Sequence, residues 1–347
     1  MLTSDVYVKG LGVFLPQTVS VEQAVQRGLY PQAEVEAHHL GGAAVAGMIS
    51  APEMAVAATQ EAFKRCGQRP EEVDLLLYAD SWHQGPDGWQ PQFFVQRSLG
   101  CDRALGLEIR QGCNGMFSAL EVAASYLRAV PERQTALLVA SDNFGTPLID
   151  RWRSGPGFII GDAASAVLLS KEPGFAQLVS VCSSTVPEAE EVHRSGEALF
   201  PPGCTTGRDV DFAARAVSYN TKAMARPGGS AVWPRVHQTI TDVVGRNLAE
   251  AGITTDDVTR VAIMNYSRDI TEHRFLAVLG LPLSKSAWEF GRTVGHLGAS
   301  DQIVSLDHLL TAGELGAGDH MLLFGIGPGV TVSSAVIKIL HTPSWLG

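Results

Sequence analysis

A long-range duplication limits what this chain can fold into more than any other feature. Pro70-Glu71-Glu72-Val73-Asp74-Leu75-Leu76-Leu77-Tyr78 resembles Thr255-Asp256-Asp257-Val258-Thr259-Arg260-Val261-Ala262-Ile263, at an offset of 185 residues. In both places a helical pattern ends at a glycine (Gly67, Gly252), and a short acidic turn leads into an apolar run. Leu99-Gly100 recurs as Leu279-Gly280, Leu137-Leu138-Val139-Ala140 as Leu322-Leu323-Phe324-Gly325, and Ser165-Ala166-Val167-Leu168-Leu169 as Ser334-Ala335-Val336-Ile337-Lys338. Each half then reads strand, helix, strand, helix, strand, strand. Such alternation implies sheets covered on both faces, which explains the near-continuous Val, Ile and Leu of the strands. The halves would stack as layers around a shared central pair of helices, and pseudo-twofold symmetry would bring the mouths of those helices together. The expected division is an N-terminal half over residues 1–185, an insertion over 186–230, and a C-terminal half over 231–347. The insertion is rich in turn residues (Pro201-Pro202-Gly203, Pro227-Gly228-Gly229-Ser230) and reads as a cover or substrate-facing segment.

One of the central helices opens at Gly112-Cys113-Asn114-Gly115, before a pattern (Phe117, Leu120, Ala123, Leu127) that repeats every three or four residues. A cysteine at a helix mouth meets unpaired backbone N–H groups and the positive end of the helix dipole, both of which favour thiolate over thiol. Flanking glycines allow another molecule to approach the sulfur. The remaining cysteines, Cys66, Cys101, Cys182 and Cys204, read as small buried hydrophobes. The offset carries residue 113 onto residue 298, so His296 opens the second central helix.

Composition excludes several classes. A net charge of −10 without a run of Lys or Arg argues against nucleic acid and against an anionic membrane surface. No apolar run approaches the roughly twenty residues that cross a bilayer, and the start carries no secretory signal. Five cysteines without paired spacing argue for a reducing, cytoplasmic setting, and His38-His39 lacks partners at zinc spacing, so no metal is expected.

Taken together the chain resembles the thiolase superfamily, and is most similar to ketoacyl-acyl-carrier-protein synthase III over its full length. The resemblance is carried by Gly112-Cys113-Asn114-Gly115, by Gly161-Asp162-Ala163-Ala164-Ser165-Ala166, and by the terminal Gly325-Ile326-Gly327-Pro328-Gly329-Val330-Thr331. It implies an α/β, five-layered αβαβα fold of two duplicated halves, and an acyl group passed from a phosphopantetheine thioester to Cys113. It implies no cofactor of the protein's own. In the family a His-Gln-Ala-Asn stretch supplies a histidine where this chain has Asn265-Tyr266-Ser267-Arg268, and an asparagine stands where this chain has His296. The two residue types have exchanged places.

Decarboxylative condensation needs two donors fixed on an enolate oxygen, and the exchange disturbs them, whereas plain acyl transfer survives it. The pattern is similar to the ketosynthase-III-like acyltransferases of polyketide and antibiotic pathways. Cys113 is the expected nucleophile and His296 the expected base, with an imidazole's ordinary titration near neutrality. Asp301 is read either as the residue that orients His296 or as a charge at a helix start, and Asn265 as a donor to the thioester oxygen. The oxyanion donors are the Cys113 N–H and that of Gly327 or Gly329, since Pro328 has none. Arg151, Arg153 and Trp82 are candidates for the phosphopantetheine entrance. The expected partners are an acyl carrier protein or coenzyme A thioester, a small-molecule hydroxyl or amine acceptor, and a second copy of the chain joined through the strand near Leu137 to Ala140. The alternatives are a decarboxylating synthase that primes a polyketide or fatty acid chain, and a non-catalytic ketosynthase partner subunit.

Overall fold

In chain order the strands are β1 (Tyr7–Phe14), β2 (Thr18–Ser20), β3 (Gly42–Ala44), β4 (Leu75–Asp80), β5 (Leu105–Arg110), β6 (Thr135–Asp142), β7 (Ala163–Ser170), β8 (Ala176–Thr185), β9 (Val258–Ala262), β10 (His320–Gly327) and β11 (Thr331–Ile339). The helices are α1 (Val21–Gln26), α2 (Gln32–His38), α3 (Ala51–Cys66), α4 (Pro91–Leu99), α5 (Gly115–Ala129), α6 (Phe212–Met224), α7 (Val232–Ala251), α8 (Ala277–Leu279), α9 (Trp288–Val294) and α10 (Asp301–Thr311). This computed structural model describes residues 1–3, 5–226 and 228–346. Pro227 of the turn-rich insertion and the terminal Gly347 lie outside the described residues.

The glycines at the ends of the repeated helices act as stops: Gly67 and Gly252 cap α3 and α7 with φ of 67° and 70°, a left-handed turn that side-chain-bearing residues resist. Strands follow with both faces buried, and their period of two sorts the side chains into layers. On β4, Leu76 and Tyr78 pack outward with α3 and α4, as do Leu137 and Val139 of β6. Leu75, Leu77 and Ala79 of β4 and Ala136, Leu138 and Ala140 of β6 point inward. In the second half Leu322 and Phe324 pack outward with α7. There Met321, Leu323, Ala335 and Ile337 turn inward. Between the inner faces lie Phe117, Leu120, Ala123 and Leu127 of α5 and Ile303, Leu306, Leu309 and Leu310 of α10. Outer helices, sheet, central helices, sheet and outer helix make the five expected layers.

Hydrogen bonding runs β5-β4-β6-β7-β1-β8-β11-β10-β9; β8, at the end of the first half, pairs with β1 through Tyr7 with Gln177 and Val8 with Ala176 and runs along β11 of the second half from Ala176 to Thr185. Two expectations fail. The second half lacks a counterpart of β5: Pro282 and the 3₁₀ turn Leu283–Lys285 replace it, leaving a single bridge from Val261 to Ser286. Proline has no N–H for a ladder. The strand near Leu137 to Ala140 is no dimer edge either, because β6 is already paired with β4 on one side and β7 on the other. The end strands of the sheet are β5 and β9, and on β5 Leu105 and Leu107 are 49% and 42% exposed.

Among the described residues no helix is long and apolar enough to cross a membrane, and no group of three His, Cys, Asp or Glu is placed to hold a metal. All five cysteines are free.

The first sheet approaches α3 through Gly12, where a Cβ would stand 2.0 Å from the Ala58 carbonyl oxygen and 2.5 Å from the Ala62 nitrogen. Backbone cannot yield there as a side-chain tip can. Gly12→Ala is expected to cost at least about 1–3 kcal/mol, the usual range for overpacking, read as a lower urea midpoint.

Candidate active site

Cys113 lies in the 3₁₀ turn Gly112–Asn114 that runs directly into α5. Gly112 has φ of 54°, and a Cβ there would strike Pro328 at 2.6 Å, so glycine is what lets the terminal loop rest on the cysteine turn. Asn114 locks the two together. Its buried amide nitrogen donates to the Thr331 carbonyl at 2.9 Å and to Ser333 Oγ at 3.0 Å. The turn of the first half is thereby fastened to the hairpin of the second.

His296 is held by its backbone. Gly295 ends α9 with φ of 78°, where a Cβ would meet the Ile159 oxygen at 2.7 Å. His296 N donates to the Ile159 carbonyl at 2.7 Å, and Gly161 N donates to the His296 carbonyl at 2.9 Å. The Gly161-Asp162 motif of the first half therefore docks the imidazole of the second.

The side chains meet. Cys113 Sγ lies 2.9 Å from His296 Nε2. His296 Nδ1 contacts Asp301 Oδ2, and Asp301 is the first residue of α10. An ionised carboxylate only accepts, so Nδ1 carries hydrogen and Nε2 is left to the sulfur. His296 is 5% exposed and Asp301 0%. Such a buried carboxylate needs a full set of donors. Oδ1 accepts from Leu297 N at 2.8 Å and Asn265 Nδ2 at 2.9 Å, and Oδ2 also from Asn265 N at 3.2 Å. Burial by itself works to lower the His296 pKa; the charges of Cys113 and Asp301, with their hydrogen bonds, outweigh it and hold the pKa well above the ordinary imidazole value. The expectation of titration near neutrality is corrected accordingly.

Three other expectations change. Asn265 does not face the thioester position: its amide donates to Asp301 and to the Gly295 carbonyl at 2.8 Å, so it positions the carboxylate. Arg151 is buried and binds Asp162 through both terminal nitrogens at 3.0 Å, with a further bond to the Ile160 carbonyl, so its charge is committed to Asp162 rather than set at an entrance. It braces the segment that docks His296. Arg153 is exposed, but its guanidinium is engaged by the Gly28 carbonyl and lies near Asp150. Trp82 remains beside the site. It donates from Nε1 to Thr146 Oγ1 at 3.1 Å and joins an apolar cluster with Phe144, Phe158, Phe212 and Tyr266. Gly327 packs on Asn114, where a Cβ would lie 3.1 Å from its backbone nitrogen, and Gly329 (φ 129°) adjoins Thr331.

Phe158 and Tyr266 escaped the sequence reading. Their rings lie 5.2 Å and 5.6 Å from the imidazole and 4.8 Å from each other. Adjacency to Asn265 and to the Gly161 motif was the only available signal. The insertion contributes Phe212 and Val210 to the same cluster, Val210 N donating to the Leu148 carbonyl at 2.7 Å.

Comparison with known proteins agrees with this geometry. Residues 107–185 match the family model described as 3-oxoacyl-[acyl-carrier-protein] synthase III, and residues 248–339 match the model of its C-terminal part. The β-ketoacyl-[acyl-carrier-protein] synthase III of Synechocystis sp. is 26% identical over 297 residues, covering 82% of each chain. The enzyme of the same description from Rhizobium meliloti is 24% identical over 343 residues, covering 95% of this chain and 98% of that one. Among solved structures, the acyltransferase ChlB3 superposes with a TM-score of 0.94 at 56% identity, over 98% of this chain and 99% of its own. The 3-oxoacyl-[acyl-carrier-protein] synthase III of Aquifex aeolicus VF5 shares the fold at a TM-score of 0.75 and 19% identity, over 96% of this chain and 99% of that one. The chain therefore belongs to the 3-oxoacyl-[acyl-carrier-protein] synthase III family of the thiolase superfamily and is an acyltransferase of that type.

Proposed function

We propose that this acyltransferase carries an acyl group from an acyl-carrier-protein or coenzyme A thioester, through acyl-Cys113, to a hydroxyl or amine acceptor in polyketide-type secondary metabolism. The observation that carries the reading is the 2.9 Å contact of Cys113 Sγ with His296 Nε2, with Asp301 behind it. His296 keeps its proton opposite the sulfur. The thiolate attacks the thioester carbon, the oxyanion lies toward the N–H of Cys113 and that of Gly327 or Gly329, and collapse expels the donor thiolate, which takes the His296 proton. Acylation removes the sulfur's negative charge, one of the two that held that proton. His296 is then neutral and can take the proton of the incoming acceptor, whose oxygen or nitrogen bonds to the acyl carbon as Cys113 leaves. The segment 186–230 serves as the cover of this chamber, through Val210 and Phe212.

Asn265 argues against the decarboxylating alternative, because its amide is consumed by Asp301 and cannot share an enolate with His296. An intact, paired Cys113 argues against a non-catalytic partner subunit. The open β5 edge supports a homodimer in which β5 pairs with its copy, covering Leu105 and Leu107.

Three outcomes are expected. Exposure to an acyl thioester adds the acyl mass to Cys113 and none to a Cys113→Ala variant, and a malonyl thioester releases no labelled carbon dioxide; release would favour the condensing alternative. Asp301→Asn removes one charge that raises the His296 pKa, so burial pulls it down. Deacylation needs neutral imidazole, so its acid limb moves to lower pH while the plateau falls about 100-fold or more, as single-turnover pH profiles will read. Leu107→Lys on the β5 edge yields monomer in sedimentation, where the parent sediments as a dimer.

A further inference from the structure

The residue after Asn265 is placed where the chemistry lacks a side-chain donor. Asn265 turns its amide away from the sulfur and onto Asp301, whereas the Tyr266 ring stands at the Cys113–His296 pair, 5.6 Å from the imidazole centroid. The ring cannot drift. Phe158 packs against it edge-on at 4.8 Å and 66°, Phe275 at 5.8 Å and 76°, and the Tyr266 carbonyl accepts from Trp288 Nε1 at 3.0 Å. Yet among the described residues nothing bonds to its hydroxyl, and Tyr266 keeps accessible surface although rings enclose it. A rigidly held phenol that spends its hydroxyl on nothing in the protein has that donor free for a bound molecule.

We infer that the Tyr266 hydroxyl is a further catalytic residue, a side-chain hydrogen-bond donor to the carbonyl oxygen of the acyl thioester that strengthens as that oxygen becomes an oxyanion. The inference rests on Cys113 as the nucleophile. When the sulfur attacks, the new C–S bond displaces the C=O π pair onto oxygen, which accepts from Tyr266 Oη–H together with the backbone donors. No proton is transferred, and collapse restores the C=O as the donor thiolate departs. Burial, together with the charges of Cys113 and Asp301, pushes the Tyr266 pKa up, so the phenol remains a donor at any working pH. It supplies a donor on the side where the exchange of histidine and asparagine removed one.

Tyr266→Phe removes only the oxygen, and since that oxygen bonds to nothing in the protein, the melting temperature should stay within about 1 °C of the parent. Acylation of Cys113 by an acyl coenzyme A, followed by mass and by thiol release, should slow about 100-fold, the usual effect of deleting one oxyanion donor, with KM unchanged. A rate within twofold of the parent overturns the inference, as does a raised KM with kcat held, which would make Tyr266 a wall only. Tyr266→Leu adds the loss of the ring: it should match the Phe variant in kcat and raise KM besides, and a kcat near the parent's would again overturn the proposal. If the parent itself gains no mass on Cys113, the nucleophile assignment fails, and that result is separate from either variant's rate.

Discussion

Neither sheet of this protein can bury its inner face without α5 and α10, and both helices spend most of their apolar surface on the two sheets. Leu75, Leu77 and Leu138 from one side and Met321, Leu323 and Ile337 from the other close on Phe117, Leu120, Ile303 and Leu306. Burying each such side chain contributes roughly 1.5–3 kcal/mol, so the layered sandwich is the dominant source of cohesion. The helix mouths meet at small residues: a Cβ on Gly115, the first residue of α5, would lie 3.5 Å from that of Ala299 in the turn before α10, and 2.9 Å from that of Ala79 on β4. That closeness brings the two helix mouths together, so residues 183 apart in sequence share a hydrogen bond.

Each half then holds the other's reactive group. Asn114, next to the nucleophile, ties its turn to the terminal hairpin, while the segment Ile159 to Gly161 grips the backbone of His296. Arg151 and Asp162 stiffen that segment from below with a buried, bidentate pair that would cost much to break, since either partner alone would be an uncompensated charge. Rigid supports of this kind let a cysteine and an imidazole stand in contact without relaxing apart.

Asn265 and His296 set the electrostatics of the site through one shared carboxylate, Asp301. Buried Asp301 accepts twice from Asn265 and once from Leu297, and its Oδ2 contacts the imidazole. The histidine is thereby coupled to a carboxylate as well as to the sulfur, an arrangement suited to moving one proton out and one proton in. Beside it, Phe158, Tyr266, Phe212 and Trp82 form an apolar cluster, and charges against apolar surroundings interact more strongly than in water.

The duplication, the glycine stops and the apolar runs were enough to read two halves layered around a central pair of helices and to align position 113 with the start of the second, because periodicity and helix punctuation are local properties. They set Cys113 opposite His296 and Asp301, side chains that the structure brings into contact. Which way a side chain turns is not local. Asn265 and Tyr266 are neighbours in sequence, yet one faces Asp301 and the other the imidazole of His296. Arg151 looks like an entrance cation until Asp162, eleven residues on, is found to occupy it. The β6 strand and the β5 strand read alike as apolar runs, and only the pairing order reveals that one is enclosed and the other is an edge. Local pattern therefore determined the elements and the reactive residue types. Tertiary packing decided orientation, pairing and charge, since those depend on what lies across a gap that sequence distance does not measure.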